Sequence, residues 1–251
     1  MIEKKKVLCI IPARGGSKGI PNKNLLKIGG YSLLERAILT AESSRYVDTI
    51  IVSSDSKEIM SQANSYGDYA PFKRSKELSS DECPSLPVFQ DALKRSEEKT
   101  GNKYDLLVVL EPPCPFRLGK HIDHAIELAV RKKSSSVVSL VQVSDQHPIR
   151  IKKLSDDSRV LPYCQDEPEG LRRQDQDPAY IRNTAVYVFN SAMISDGDLW
   201  GKEVFGFEMD ANLYGVNIDE EINIAEAEYI YEKMKRESKL FLIQEMEEKI
   251  K

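Results

Sequence analysis

Val7-Leu8-Cys9-Ile10-Ile11-Pro12-Ala13-Arg14-Gly15-Gly16-Ser17-Lys18-Gly19-Ile20-Pro21-Asn22-Lys23-Asn24 is the stretch around which the chain is organised. It opens as a short, unbroken apolar run, which suits a strand buried on both faces of a parallel sheet. Pro12 ends the run. The loop that follows holds three glycines and the cations Arg14, Lys18 and Lys23. Glycine lets backbone N–H groups turn inward and approach a ligand, and the cations place charge where an anion would sit. A strand running into such a loop is how open α/β sheets hold phosphates at the carboxyl ends of their strands. The P-loop pattern G-x-x-x-x-G-K-S/T is absent, and Gly15-Gly16-Ser17-Lys18-Gly19 does not fit G-x-G-x-x-G. The plain alternative is a basic surface loop whose glycines serve only turns. Three cations directly after a buried strand favour phosphate binding over it.

The chain has 251 residues, 41% of them hydrophobic and 30% charged, which suits one large soluble α/β domain. A formal net charge of -4 argues against general nucleic-acid binding and leaves room for a local basic pocket. Cys9, Cys83, Cys114 and Cys164 are scattered without C-x-x-C spacing, so neither a zinc site nor a disulfide framework is expected. The charged start has no apolar segment after it, and no run reaches membrane-spanning length. The expectation is a cytoplasmic protein with no membrane partner.

Helical spacing predicts a helix from Tyr31 to Tyr46, with Leu33, Leu34, Ala37, Ile38 and Ala41 inward and Glu35, Arg36 and Glu42 outward. Asp48 to Ser53 reads as a strand, and Ser56 as the cap of a helix from Lys57 to Tyr66. That cadence implies right-handed βαβ units. Asp68 to Pro87 is polar and broken by prolines. Helices are expected over Val88 to Lys99 and Leu118 to Lys132, and strands over Tyr104 to Leu110, Ser135 to Val143 and Thr184 to Phe189. His121 and His124 are three apart with no third ligand, so packing or surface roles are expected of both. The polar, turn-rich stretch from Ser144 to Arg182 is too long for an ordinary connection. Leu199 to Phe207 carries the only Trp and suits core or interface packing. A long helix is expected over Glu220 to Lys249, with Ile222, Ile224, Ala225, Ala227, Ile230 and Met234 inward.

Ile11 to Gly19 with Pro21-Asn22-Lys23-Asn24 resembles the first motif of the CMP-N-acylneuraminate cytidylyltransferases, which activate sialic acids and related legionaminic and pseudaminic acids. Arg74-Ser75-Lys76-Glu77-Leu78-Ser79-Ser80-Asp81 resembles that family's R-P-x-E-L-x-x-D, with Ser75 in place of proline. Leu110-Glu111-Pro112-Pro113-Cys114-Pro115-Phe116-Arg117 is similar to L-Q-P-T-S-P-L-R, with Glu111 where glutamine usually contacts the sugar acid. An ionised carboxylate only accepts hydrogen bonds, whereas an amide also donates. Arg172 to Asp175 and Pro178 to Tyr187 resemble R-Q-x-x-P and N-G-A-x-Y, with Thr184 for glycine. Asn217-Ile218-Asp219 stands where D-I-D holds magnesium.

The resemblance implies a three-layer, Rossmann-like, mostly parallel sheet of the nucleotide-diphospho-sugar transferase type. The core would span 1–143 and 184–251, and 144–183 would form an inserted arm that pairs a homodimer and completes the partner's sugar site. It implies a cytidylyltransferase that joins CMP from CTP to a nine-carbon keto-sugar acid and releases pyrophosphate, in cell-surface polysaccharide biosynthesis. Arg14, Lys18, Lys23 and Asp219 would act in catalysis, the cations on the β- and γ-phosphates. Ala13, Gly15, Ser17, Asn24, Arg74, Cys83 and Ser85 would hold the nucleotide. Glu111, Arg173 and Asn183 would meet the sugar acid, Arg173 and Asn183 also lying within reach of the nucleotide. Asp219 and Asn217 would hold Mg²⁺ through hard oxygen ligands. No residue stands out as a general base. Two other readings stay open: activation of another sugar acid or a sugar 1-phosphate, and a non-catalytic nucleotide-binding homologue.

Overall fold

The computed structural model describes residues 2–17, 19–143, 146–164 and 172–237. In chain order its strands are β1 (Val7–Pro12), β2 (Lys27–Ile28), β3 (Tyr31–Ser32), β4 (Thr49–Ser53) and β5 (Leu106–Val109). Then come β6 (Ser136–Val143), β7 (Lys152–Leu154), β8 (Val160–Pro162), β9 (Ala179–Asn190) and β10 (Val204–Met209). The helices are α1 (Leu33–Glu42), α2 (Lys57–Asn64), α3 (Ser85–Thr100), α4 (Gly119–Lys132), α5 (Ser191–Ser195), α6 (Ala211–Tyr214) and α7 (Glu221–Arg236).

Six strands form the central sheet in the order β10-β6-β9-β5-β1-β4. β1 lies inside it, parallel to both β4 and β5, as its uninterrupted apolar sequence requires. Its side chains alternate between two cores. Leu8 and Ile10 join α3 and α5 on one face; Val7, Cys9 and Ile11 join α1, α2, α4 and α7 on the other. The result is the expected three-layer α/β sandwich. β9 is the exception to parallel pairing, running antiparallel to both β5 and β6. It begins at Ala179, earlier than the expected strand start at Thr184, because residues 179–182 pair with β6 beyond a register shift between Val138 and Leu140.

Several element ends differ from expectation for local reasons. α1 starts at Leu33, since Ser32 and Glu35 close a capping box that fixes the first turn. Arg36, expected outside, is buried: its guanidinium donates to the Ile28 carbonyl and lies between the rings of Phe116 and Tyr231. Burial pulls its pKa down to about 10. α3 starts at Ser85 rather than Val88, because Pro84 serves as the cap and Pro87 falls in the first turn, where no N–H is needed. In α7, Ala227, Ile230 and Met234 face the core, whereas Ile222 and Ala225 are exposed on the far side of the helix. The expected continuation of that helix beyond 237 lies outside the described residues. His121 and His124 pack edge-on against Tyr214 and Phe207. Burial takes the His121 pKa down to about 4, so it sits as a neutral packing group. No helix among the described residues is long and apolar enough to cross a membrane.

Candidate functional site

The glycine-bearing loop leaves β1 at the carboxyl end of the sheet and is held there by its own backbone. The Ala13 N–H continues the ladder to the Ser53 carbonyl at 3.0 Å, so Ala13 is buried and its amide is already used. The Gly15 N–H donates to Asp55 Oδ1 at 2.9 Å, and the Asn24 amide donates to the Arg14 carbonyl at 2.9 Å, closing the loop on itself. A Cβ at Gly19 would come within 2.5 Å of the Asp219 carbonyl oxygen, so only glycine permits this approach. Lys18 lies outside the described residues.

Arg14, Ser17, Lys23 and Asn24 line one side of a cleft of about 310 Å³. Arg74, Asp81 and Cys83 come from the segment between α2 and α3, and Ser85 from the first turn of α3. That segment is fastened to the sheet edge by the Arg74 N–H on the Ser54 carbonyl, 2.8 Å. Arg74 is buried, with Nε on Ser79 Oγ at 3.1 Å, and burial lowers its pKa. Arg14 reaches across to Asp81, Nη1 to Oδ1 at 2.5 Å. Lys23 Nζ contacts Asp219 Oδ1 at 2.7 Å. Gly16, not Gly15, lines the cleft, and so does Asp81, a residue quoted in the motif but given no role there.

A second cavity, about 320 Å³, shares Ser85, Phe89 and Glu111 with the first. Its remaining walls include Arg182, Thr184 and Tyr187 of β9 and the ring of Trp200. The Arg182 guanidinium lies 4.7 Å over the Trp200 ring, which also meets Tyr187 and Phe189 edge-on. Sequence reading assigned no role to Arg182 and left Trp200 to packing. The available signal was a cation one residue from Asn183 in the strand that borders the polar stretch.

Glu111 forms the wall between the cavities. Its carboxylate makes no hydrogen bond or ion pair among the described residues. Burial raises its pKa; Arg117 opposes the shift, Asp219 adds to it, and Lys23 and Arg182 oppose it. Arg117 is itself buried, with Nη1 on the Ala185 carbonyl at 2.9 Å and with Nε and Nη2 lacking partners among the described residues.

Behind Lys23 runs a short polar chain. Thr184 stands at φ +58°, a left-handed conformation that glycine adopts freely and a β-branched residue does not. Its hydroxyl donates to Asn217 Oδ1 at 3.3 Å, and the Asn217 amide donates to Asp219. Asp219 is therefore held from two sides, and its side chain is 60% exposed. Among the described residues no cluster of three or more His, Cys, Asp or Glu has metal-binding geometry. Asn183 faces neither cavity: it is buried, accepts from Ser139 Oγ at 2.6 Å and donates to the Tyr214 carbonyl at 3.0 Å, binding β9 to its neighbours. Arg173 opens a single 3-10 turn, Arg173–Asp175, and its side chain lies outside what is described. A larger cavity, about 790 Å³, lies elsewhere and carries Asp177, Glu208 and Asp210, a charge ill-suited to an anionic nucleotide.

The pattern that defines the cytidylyltransferase family matches residues 8–249. The chain is 30% identical to the post-translational flagellin modification protein B of Campylobacter coli, over 94% of this chain and 99% of the relative. It is 31% identical to the CMP-N,N'-diacetyllegionaminic acid synthase of Campylobacter jejuni, over 90% of this chain and 94% of that protein. Its fold is similar to a solved CMP:2-keto-3-deoxy-manno-octonic acid synthetase complexed with CTP, with a TM-score of 0.67 and 14% identity, covering 91% of this chain and 99% of the other. The chain belongs to the cytidylyltransferase family of nucleotidyltransferases.

Proposed function

We propose that the chain transfers CMP from CTP to a sialic-type nonulosonic acid (N-acetylneuraminate, legionaminate or pseudaminate) and releases pyrophosphate. The observation that carries this reading is the pair of joined cavities: a cation-bearing, glycine-lined cleft meets an Arg-bearing aromatic one across Glu111. The names of the relatives agree with it, since one is a synthase of a CMP-linked nonulosonic acid. The chemistry needs positioning and neutralised charge more than covalent help from the protein. Arg14 and Lys23, with Lys18 from the same loop, would hold the polyphosphate tail. Their present partners, Asp81 and Asp219, form partly exposed pairs. Such pairs contribute only about 0–1 kcal/mol, so a polyphosphate displaces them at small cost. Arg74 and the start of α3 would face the cytidine. Arg182 would take the sugar-acid carboxylate, for which a planar guanidinium is suited.

Asp219 and Asn217 offer hard oxygens, and Mg²⁺ binds through one or two carboxylates with phosphate oxygens and water completing its shell. Asn217 turns its oxygen to Thr184 and its amide N–H to Asp219, so Asp219 alone would be the anchoring carboxylate of a divalent ion that arrives with the nucleotide, and Asn217 would join it only by turning its amide over. When bound, the ion would neutralise phosphate charge during transfer. Residues 144–183 would serve as the arm of a homodimer. Supporting this, Leu154, Val160 and Tyr163 on and beside the β7–β8 hairpin are 73%, 65% and 66% exposed, an apolar surface that a second subunit would cover. The test is to offer CTP, Mg²⁺ and a panel of eight- and nine-carbon keto-sugar acids and to measure pyrophosphate. Turnover with a nonulosonic acid is expected; nucleotide binding without turnover on any acid would overturn the reading.

A further inference from the structure

The carboxylate of Glu111 stands in the wall common to both cavities, so whatever joins their contents passes it. It is half-buried, and it makes no hydrogen bond or ion pair among the described residues. A carboxylate that gives up part of its hydration without gaining a protein partner is disfavoured in its charged form, and such groups collect where chemistry uses them. Every other acidic group of the cleft described above is engaged: Asp81 holds Arg14, and Asp219 holds Lys23. We propose that Glu111 is the general base that takes the proton from the acceptor hydroxyl during CMP transfer.

The inference rests on the CMP-transfer reading. In the step, the carboxylate takes the hydroxyl proton and the hydroxyl oxygen forms a bond to the α-phosphorus. The bridging bond from the α-phosphorus to the β-phosphate breaks, and its electron pair leaves on pyrophosphate. Glutamine, found at this position in the resembling motif, has no proton affinity to offer. The groups that face Glu111 are Arg117 and Cys114 from the segment after β5, Asp219 from the loop before α7, Lys23 from the glycine loop, and Arg182 and Tyr187 from β9. Burial raises the proton affinity of the carboxylate, towards the operating pH at which a base works best.

The experiment measures kcat and both KM values for the unmodified chain and for Glu111→Gln between pH 5 and 9, with thermal melting alongside. The expected result is a fall in kcat of about 10²-fold or more. The decline in rate on the acid side should vanish, while the KM for CTP stays unchanged. A second variant, Glu111→Asp, keeps the carboxylate and should keep the acid-side decline at a reduced kcat. A kcat for Glu111→Gln close to that of the unmodified chain overturns the proposal. So does a rise confined to the KM of the sugar acid, which would make Glu111 a binding group, and so does loss of the acid-side decline in Glu111→Asp. Absence of pyrophosphate from the unmodified chain with every acid overturns the CMP-transfer reading, and this inference with it.

Discussion

The two joined cavities have nearly equal volumes, about 310 and 320 Å³, and are built in opposite ways. The first is made largely of continuous stretches at the carboxyl ends of parallel strands, with backbone held by Asp55 and Asn24 and cations held by carboxylates. The second is made from one antiparallel strand, one aromatic cluster and the start of α3. The loop-built cavity answers to charge, and the strand-built one to shape and to a single cation. Function should therefore fail in different kinetic terms when each is damaged.

The largest effect is expected on the loop side. Lys23→Ala should lower kcat by about 10²–10³, by the measure of losing one preorganised group at developing charge. Measurement of pyrophosphate release at saturating CTP checks this, and an unchanged rate would break the division between the cavities. On the strand side, Arg182→Ala removes a charged hydrogen-bonding group worth about 1.5–3 kcal/mol. The KM of the sugar acid should rise about 10- to 100-fold while that of CTP holds. A parallel rise in both would show that the cavities are not separate in function.

Smaller effects concern the parts that join them. Thr184→Gly relieves a left-handed β-branched residue, a gain of about 1 kcal/mol or more. It also loses a hydrogen bond to Asn217 worth about 0.5–1.5 kcal/mol. Urea unfolding should therefore move by less than about 1 kcal/mol. A large loss would show that this bond, rather than local packing, holds the strand-built wall. The shared wall gives a pH-dependent test. The folded pKa of Glu111 lies above its unfolded value, so its contribution to stability is fully present below the unfolded value, about 4.3, and is lost as pH rises through the folded one. Glu111→Gln should melt higher than the unmodified chain at pH 8, with the difference gone below about pH 4.3.

Much of this was legible along the chain. Val7–Pro12 and Leu106–Val109 are strands because their apolar runs can be satisfied only between two covered faces. Arg14, Lys23, Arg74 and Ser85 met in one cleft as their motifs implied. Other features were hidden. Arg36 resembles any surface arginine until Phe116 and Tyr231, from other elements, enclose it. Asn183 reads as a ligand contact until Ser139 and Tyr214 take up its amide.

Strand and helix identity, and the chemistry of the glycine loop, follow from local patterns, because burial periodicity and backbone freedom are properties of neighbouring residues. The places of Glu111, Arg182, Asn217 and Asp219 do not. These residues are far apart in the chain: the antiparallel insertion of β9 between β5 and β6 brings Arg182 to the end of the sheet where Glu111 follows β5, and the Ile218 N–H on the Pro113 carbonyl, 2.9 Å, fastens Asn217 and Asp219 there. Pairing register is a property of two strands at once, so the tertiary structure alone decided which carboxylate stands between the cavities and which cation faces it.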